Sequence, residues 1–142
     1  MPPSEKRELP MKVVIDTNVL VSALYSRNGA PARVLSLVLA GEITPCFDYR
    51  IMEEYRDVLC RPKFGFPKQA VENLLKWFEA YGVSLLAKPM DARFTDESDK
   101  KFYEVAKTSG ALLITGNSRH FPADGIVVSV NEFLGEALGH IY

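Results

Sequence analysis

The chain has 142 residues, a formal net charge of −1 and 47% hydrophobic residues. This is the length of one ordinary domain, and the composition is that of a globular chain that can bury a core. A charge near zero argues against a protein that holds nucleic acid by bulk positive charge. No apolar run reaches the roughly 20 residues that a membrane-spanning helix needs, so no membrane segment is expected.

The first ten residues are polar, and they lack the apolar stretch of a signal peptide. We therefore interpret residues 1–10 as a flexible leader and residues 11–142 as one domain. The two cysteines, Cys46 and Cys60, have no nearby Cys or His at zinc-ligand spacing. Both are expected to be buried, reduced thiols of a cytoplasmic protein.

Five short apolar runs indicate the strands of a sheet. They lie at 13–15, 43–47, 83–87, 112–114 and 126–128. Several of them have no polar alternation, which is typical of strands that helices cover on both faces.

Segments with helical spacing of apolar residues alternate with these runs. They lie at 31–40, 48–60, 67–81, 96–109 and 131–138, and a loop at 61–67 separates two of them. Alternating strands and helices predict an α/β protein with three layers, α/β/α, around a mostly parallel sheet of about five strands. In such folds, functional side chains collect at the carboxyl ends of the strands.

Polar residues follow the first and the fourth predicted strands. Asp16 comes directly after the first strand, and Thr115, Gly116 and Asn117 come directly after the fourth. Asp16 is interpreted either as the N-cap of a helix over 19–25 or as a site residue, and its position alone favours neither. The second segment is open to interpretation as a simple turn.

Two of the predicted helices carry acidic residues beside their apolar faces. Glu54 lies on the flank of one such face, whereas Glu53 lies nearly opposite and is expected to be solvated. Asp99 lies on the flank of the other face, with Asp96 as the expected helix cap and Lys101 predicted to point away. The alternative for Asp99 is a favourable interaction with the helix dipole alone.

Asp16, Glu54 and Asp99 are thus directed to one edge of the sheet, and none has an obvious cationic partner in the sequence. Carboxylates gathered without partners are costly unless a cation joins them. Hard oxygen ligands select Mg²⁺ or Mn²⁺ over zinc. Such a metal can activate water and position a phosphodiester, so the pattern favours hydrolysis of a phosphate ester.

The order and spacing of these residues resemble those of the PIN domain family over about residues 12–133. The segments that carry the resemblance are VVIDTNVL at 13–20, EYRDVL at 54–59, RPKF at 61–64, DESD at 96–99 and LITGNSRHF at 113–121. Within this family, the chain is more similar to the bacterial and archaeal group whose members are regarded as the toxin components of toxin–antitoxin systems. The resemblance implies a metal-dependent nuclease, in most members a ribonuclease, with an acidic cluster.

By this resemblance each motif residue has an expected role. The expected catalytic residues are Asp16, Glu54, Asp99 and Asn117. The first three would hold Mg²⁺ or Mn²⁺, and Asn18 and Thr115 would fix the carboxylates by hydrogen bonds. The expected substrate contacts are Arg50, Arg61, Lys63, Lys100, Arg119 and His120, with Phe64, Phe66 or Phe121 to stack on bases. For each of these surface residues alone, an ordinary solvated charge or packed aromatic ring is the alternative.

The chain departs from the family pattern at two positions. Asn117 stands where many relatives carry Asp, and an amide offers a carbonyl oxygen without negative charge. We therefore expect weaker binding of a second metal ion. Lys100 stands where close relatives often repeat the Asp, and its position predicts that it borders the site.

The predicted function is that of a toxin ribonuclease, with RNA as substrate, an antitoxin protein as partner and a homodimer as the assembly. An apolar stripe on the 67–81 helix is interpreted first as core and second as a dimer surface. Its members are Leu74, Leu75, Trp77, Phe78 and Tyr81.

Two other classes of protein compete with the nuclease interpretation. The first is a PIN scaffold that binds RNA or a protein and cuts poorly, which Asn117 favours. The second is a protein with a phosphoryl-accepting aspartate at a strand end. The dehalogenase-like phosphatases need an acid two residues after the first Asp, where this chain has Asn18. Receiver domains need a further acidic pair early in the sheet. Neither pattern is met.

Overall fold

A computed structural model describes residues 11–90 and 96–137. The predicted leader at 1–10 and the last residue of the helix predicted at 131–138 lie outside the described residues. The strands are β1 Met11–Ile15, β2 Ile43–Phe47, β3 Val83–Ser84, β4 Leu112–Ile114 and β5 Val127–Val128.

The five strands form one sheet in the order β3-β2-β1-β4-β5, and every pairing is parallel. β1 lies at the centre, with Ile15 opposite Ile114 on β4. The strand predicted at 83–87 is wrong in length, because β3 ends at Ser84. One further bond, from the Leu85 amide to the Phe47 carbonyl at 3.1 Å, continues the pairing beyond Ser84.

The described residues contain six α-helices. They are α1 Thr17–Tyr25, α2 Ala30–Leu39, α3 Tyr49–Leu59, α4 Lys68–Tyr81, α5 Lys100–Ser109 and α6 Val130–Glu132. Short 3₁₀ turns cover Pro62–Phe64, Glu97–Asp99 and Ser118–His120, and a π-helical turn covers Phe133–Ala137. The sheet with its helices confirms the predicted three-layer α/β/α fold.

Two predicted helices differ from the structure in ways that matter for the site. The helix predicted at 96–109 is divided into a 3₁₀ turn, which Asp96 caps through the Ser98 amide at 2.9 Å, and α5. The helix predicted at 131–138 is the short α6 followed by the π-helical turn. The loop at 61–67 contains the 3₁₀ turn Pro62–Phe64.

The core lies between the central strands and the apolar faces of the helices. Val13 and Val14 of β1 are completely buried, which is the expected environment of a strand without polar alternation. Gly82, which ends α4, has no room for a side chain, since a Cβ would lie 2.5 Å from the Pro45 carbonyl oxygen. The close approach of α4 to β2 therefore requires glycine at this position.

The predictions for the cysteines and the apolar stripe are confirmed in part. Cys46 is buried and Cys60 is half-buried, and both are free thiols. Three members of the stripe on α4 belong to the core, namely Leu74, Leu75 and Phe78. Trp77 is half-buried, and its ring centroid lies 4.2 Å from that of the exposed Tyr81.

Candidate active site

Asp16 lies at the carboxyl end of the central strand and is 5% exposed. Its backbone amide donates to the Ile114 carbonyl at 3.0 Å, which joins the end of β1 to β4. Its Oδ2 accepts a hydrogen bond from Thr115 Oγ1 at 2.7 Å. Asp16 occupies the N-cap position of α1, yet its side chain makes no capping hydrogen bond. The buried carboxylate is therefore not used as a helix cap.

Burial raises the pKa of Asp16, because removal from water disfavours the charged carboxylate. The hydrogen bond from Thr115 lowers this pKa in part, and the negative charge of Glu54 raises it again. The backbone N–H groups of Asn18 and Thr17 have a smaller lowering effect. The net result is a carboxyl group that would gain from a nearby cation.

Thr115 is completely buried and connects two of the predicted site residues. Its amide donates to the Val128 carbonyl at 3.0 Å, which holds the end of β4 against β5. Its hydroxyl accepts from the Asn117 amide at 3.0 Å and donates to Asp16. These bonds fix the orientation of the Asp16 carboxylate and place the half-buried Asn117 beside it.

Glu54, on α3, is half-buried, and both of its carboxylate oxygens have partners. Thr17 Oγ1 donates to Oε2, and Lys101 Nζ lies 2.7 Å from Oε1. The Lys101 side chain is only 13% exposed, so this ion pair is largely shielded from water. Glu53 is exposed, as its helical position predicted.

Two predictions about this region are wrong. Lys101 was expected to point away, and Glu54 was expected to lack a cationic partner, whereas the two form an ion pair. The reason is that Lys101 stands one helical turn before the buried Val105, so it lies beside the apolar face of α5 and meets Glu54 of the neighbouring α3. A second difference is that Thr17, not Asn18, makes the hydrogen bond to a carboxylate, since the Asn18 side chain is exposed.

Asp99 is half-buried at the start of α5, with Oδ2 lying 3.6 Å from His120 Nδ1. Burial raises its pKa, and the negative charges of Asp16 and Asp96 raise it further. His120 lowers this pKa in part, and Glu54 has a smaller raising effect. The three predicted acids thus lie close enough to influence one another.

The chemistry of these donors suits a divalent cation. Carboxylate oxygens are the ligands that Mg²⁺ and Mn²⁺ prefer, and the pKa values of Asp16 and Asp99 are raised by burial first and by neighbouring negative charges second. Within residues 11–90 and 96–137, however, no three His, Cys, Asp or Glu side chains converge closely enough to hold one ion. Glu54 is turned instead to Thr17 and Lys101.

Two of the predicted substrate-binding arginines are paired with acids. Arg50 contacts Asp48 at 2.7 Å and Glu104 at 2.8 Å, so its guanidinium joins α3 to α5 and is not a free surface charge. Arg61 pairs with Asp57 at 3.0 Å on the surface of α3. Arg50 is therefore better described as a structural residue.

The remaining residues predicted to contact substrate differ in their exposure and packing. Lys100 is half-buried, and two further residues are exposed after β4, namely Arg119 and His120. Lys63 lies with Nζ 5.1 Å from the ring centroid of Phe64, which stacks on Phe66 at 5.6 Å. Phe121 is 6% exposed and belongs to the core, so its prediction as a stacking surface is wrong.

A groove between α3 and α5 opens beside Glu54 and has a volume of about 550 Å³. Tyr49, Arg50, Lys100, Lys101 and Glu104 are among its lining residues. The sequence analysis missed Thr17 and Lys101 as members of the site. A hydroxyl directly after Asp16 was a signal for the first, and the position of Lys101 four residues before the apolar Val105 was a signal for the second.

Among the described residues, no helix has the length and apolar character needed to cross a membrane.

The amino-acid sequence of the chain is similar to a known protein family and to a known archaeal protein. A family profile described as PIN domain matches residues 12–119. An uncharacterized protein of Methanocaldococcus jannaschii is 36% identical over 118 residues, a match that covers 80% of this chain and 76% of the relative. The matched region contains Asp16, Glu54, Asp99 and Asn117.

Proposed function

The chain belongs to the PIN domain family, whose members are generally nucleases, and on this premise we propose that it is a divalent metal-dependent endoribonuclease. The observation that carries the proposal is the buried carboxylate of Asp16 at the end of the central strand, with a raised pKa and with Glu54 and Asp99 acting on the same site. Such perturbed acids in one place are typical of functional sites.

Asp16, Asp99 and Glu54 would hold Mg²⁺ or Mn²⁺, the kind of ion that PIN domains typically use. When bound, the ion would supply an activated water and stabilise charge on the phosphate oxygens. Thr115 holds one Asp16 oxygen in place, which leaves the other for ligation. Asn117 would contribute an amide oxygen or hold a water, without adding negative charge.

RNA is the proposed substrate, held by local contacts because the chain has no excess of positive charge. The exposed Arg119 and His120 and the half-buried Lys100 would contact phosphate groups beside the acids. The stacked rings of Phe64 and Phe66 would offer a surface for bases.

The same resemblance supports a more specific role. A toxin of a toxin–antitoxin pair, with an antitoxin protein as partner, a homodimeric assembly and a cytoplasmic location, remains our proposal for the biological setting. The half-buried Trp77 and the exposed Tyr81 beside it are the residues of the α4 stripe that a dimer surface would use.

The test is cleavage of an end-labelled single-stranded RNA with Mn²⁺, with Mg²⁺ and with EDTA. The wild type should cut with either metal and not with EDTA. Asp16→Asn should lose at least about 100-fold in rate, because a ligand that organises the metal is worth several kcal/mol. Asp57→Asn removes an exposed charge, 71% accessible, from α3 and serves as the matched control.

A non-catalytic scaffold is the second candidate, and the uncharged Asn117 is the observation that favours it. This candidate predicts that the wild type and Asp16→Asn bind RNA equally well and are equally inert with every metal. Metal-dependent cleavage that Asp16→Asn abolishes and Asp57→Asn retains would exclude it.

A further inference from the structure

Lys101 is held in the candidate site by several contacts. Its ammonium lies 2.7 Å from Glu54 Oε1 and donates to the Ser98 carbonyl. The same nitrogen lies 5.1 Å from the ring centroid of Phe102. With 13% of its side chain exposed, Lys101 has given up much of the conformational freedom and hydration of a surface lysine.

This ion pair decides what Glu54 can do. Thr17 occupies one of its oxygens and Lys101 the other, so Glu54 cannot become a metal ligand without losing one of these partners. A hydroxyl can stay beside a carboxylate that binds a metal, since it carries no charge. An ammonium and a divalent cation repel each other at such short range. Lys101 is therefore the partner that must leave.

The rest of the site fits this description. Asp16 has no ion pair among the described residues, and Asp99 lies 3.6 Å from His120, whereas Glu54 lies 2.7 Å from the ammonium of Lys101. No three potential ligands among the described residues converge on one point, and Glu54 is turned toward the lysine. The arrangement is that of an acidic site in which one carboxylate is already neutralised by the protein itself.

We propose that Lys101 is an internal counter-ion of the metal-free site and that a divalent cation competes with it for Glu54. Lys101 then sets the metal affinity of the site without being a ligand. This inference rests on the proposed function, because it requires a metal site at Asp16 and Asp99. A purely structural pair between α3 and α5 would affect stability and leave metal affinity unchanged.

The test compares Lys101→Met with Lys100→Met by titrating each full-length protein with Mn²⁺ and measuring free Mn²⁺ by electron paramagnetic resonance. Both variants lose one positive charge from the start of α5. Only Lys101 contacts Glu54, since Lys100 has no ion pair in the part of the chain that is described. Lys101→Met should bind Mn²⁺ about tenfold more tightly than Lys100→Met, because the competing charge has gone.

Two further variants separate competition from a general loss of charge or structure. Lys101→Arg keeps the positive charge and should bind Mn²⁺ within about twofold of the wild type. In a Glu54→Gln background the advantage of Lys101→Met should shrink, because the lysine no longer blocks a carboxylate. In EDTA, Lys101→Met should unfold at a lower temperature than Lys100→Met, and saturating Mn²⁺ should remove this difference.

The outcomes distinguish the inference from the proposed function. If the wild type binds Mn²⁺ and Lys101→Met binds it no more tightly than Lys100→Met, the inference is overturned while the metal site stands. If none of these proteins binds Mn²⁺, both the metal site and the inference are overturned. Tighter binding in Lys101→Met alone, with Lys101→Arg unchanged, supports the counter-ion.

Discussion

Asp16 and Asp48 occupy equivalent places in the fold and have opposite environments. Each follows a strand in the middle of the sheet, each stands at a helix N-cap position, and they are 5% and 2% exposed. Asp48 accepts a hydrogen bond from the Ile51 amide at 3.1 Å and pairs with Arg50 at 2.7 Å. Asp16 makes no capping bond, and within the described residues it has no ion pair.

The difference shows how the same residue type serves structure in one place and chemistry in another. Asp48 belongs to a closed network, since Arg50 also contacts Glu104 at 2.8 Å and Glu104 accepts from the Met90 amide at 2.9 Å. This network fixes α3 against α5, the helices that carry Glu54 and Lys101. A buried carboxylate with a complete set of partners is costly to disturb, because removing one partner leaves a buried charge, whereas a carboxylate without a counter-ion is available to a ligand.

The largest effect expected from this comparison is on cleavage. Asp16→Asn should lose at least about 100-fold in the metal-dependent cleavage rate, because it removes a proposed metal ligand. Asp48→Asn, assayed well below its unfolding temperature, should stay within about tenfold of the wild type, because Asp48 only positions the helices. Single-turnover cleavage of one RNA by both variants measures the contrast. Equal losses would contradict the assignment of different roles.

The second effect is on stability, where Asp48 is expected to contribute more than Asp16. Asp48→Ala should lower the free energy of unfolding by about 2–3 kcal/mol, because it removes a helix cap and leaves Arg50 without one partner. The value lies below the range for fully buried pairs, because the Arg50 side chain is 36% exposed. Urea unfolding followed by circular dichroism in EDTA gives the number. A loss under about 0.5 kcal/mol would show that the network contributes little.

Asp16→Asn should instead stabilise the protein in EDTA, by about 1 kcal/mol or a few degrees in unfolding temperature. The amide keeps an acceptor for Thr115 and removes a charge that burial and Glu54 disfavour. Differential scanning calorimetry of the two proteins at neutral pH checks this. A lower unfolding temperature for Asp16→Asn would mean that the Asp16 charge is compensated in the fold.

The same comparison should depend on pH. Because the folded-state pKa of Asp16 is raised, its contribution to stability is complete below the unfolded value of about 3.9 and is lost as pH rises through the folded value. The advantage of Asp16→Asn over the wild type should therefore grow as pH increases through this interval and then level off. Asp99, whose pKa is also raised, acts in the same direction in both proteins. A difference that shrinks with rising pH would contradict the raised pKa.

The smallest effect is expected at the strand end beside Asp16. Asn117→Asp should tighten Mn²⁺ binding by about threefold, because it adds a negative charge next to the carboxylates. Ser118→Asp places the same charge one residue further along, at an exposed position, and should change the affinity less. Equal changes in the two variants would show that Asn117 has no special access to the site.

Local patterns were sufficient for two neighbouring central strands and for the partial burial of Glu54. Uninterrupted apolar runs predicted β1 and β4, and helical spacing placed Glu54, rather than the exposed Glu53, beside the apolar face of α3. These features depend on residues close together in the chain, so the sequence carries their signal.

The ion pairs around the site could not be predicted in this way. Arg50 contacts Glu104, which is 54 residues away in the sequence, so the pattern around either residue does not indicate the other. Glu54 and Lys101 also come from different helices, α3 and α5, so the pattern within either helix does not show that they pair. Both errors arose where contacts between distant parts of the chain determine which partner a charged side chain has.

Direct titration with Mn²⁺ of the wild type, Asp16→Asn and Asp57→Asn tests most simply whether Asp16 at the end of β1 and Asp99 at the start of α5 belong to a metal site. The wild type and Asp57→Asn should take up Mn²⁺ with the same affinity. Asp16→Asn should bind it at least about tenfold more weakly, because a charged ligand is lost. Equal uptake by all three proteins would contradict a metal site at Asp16.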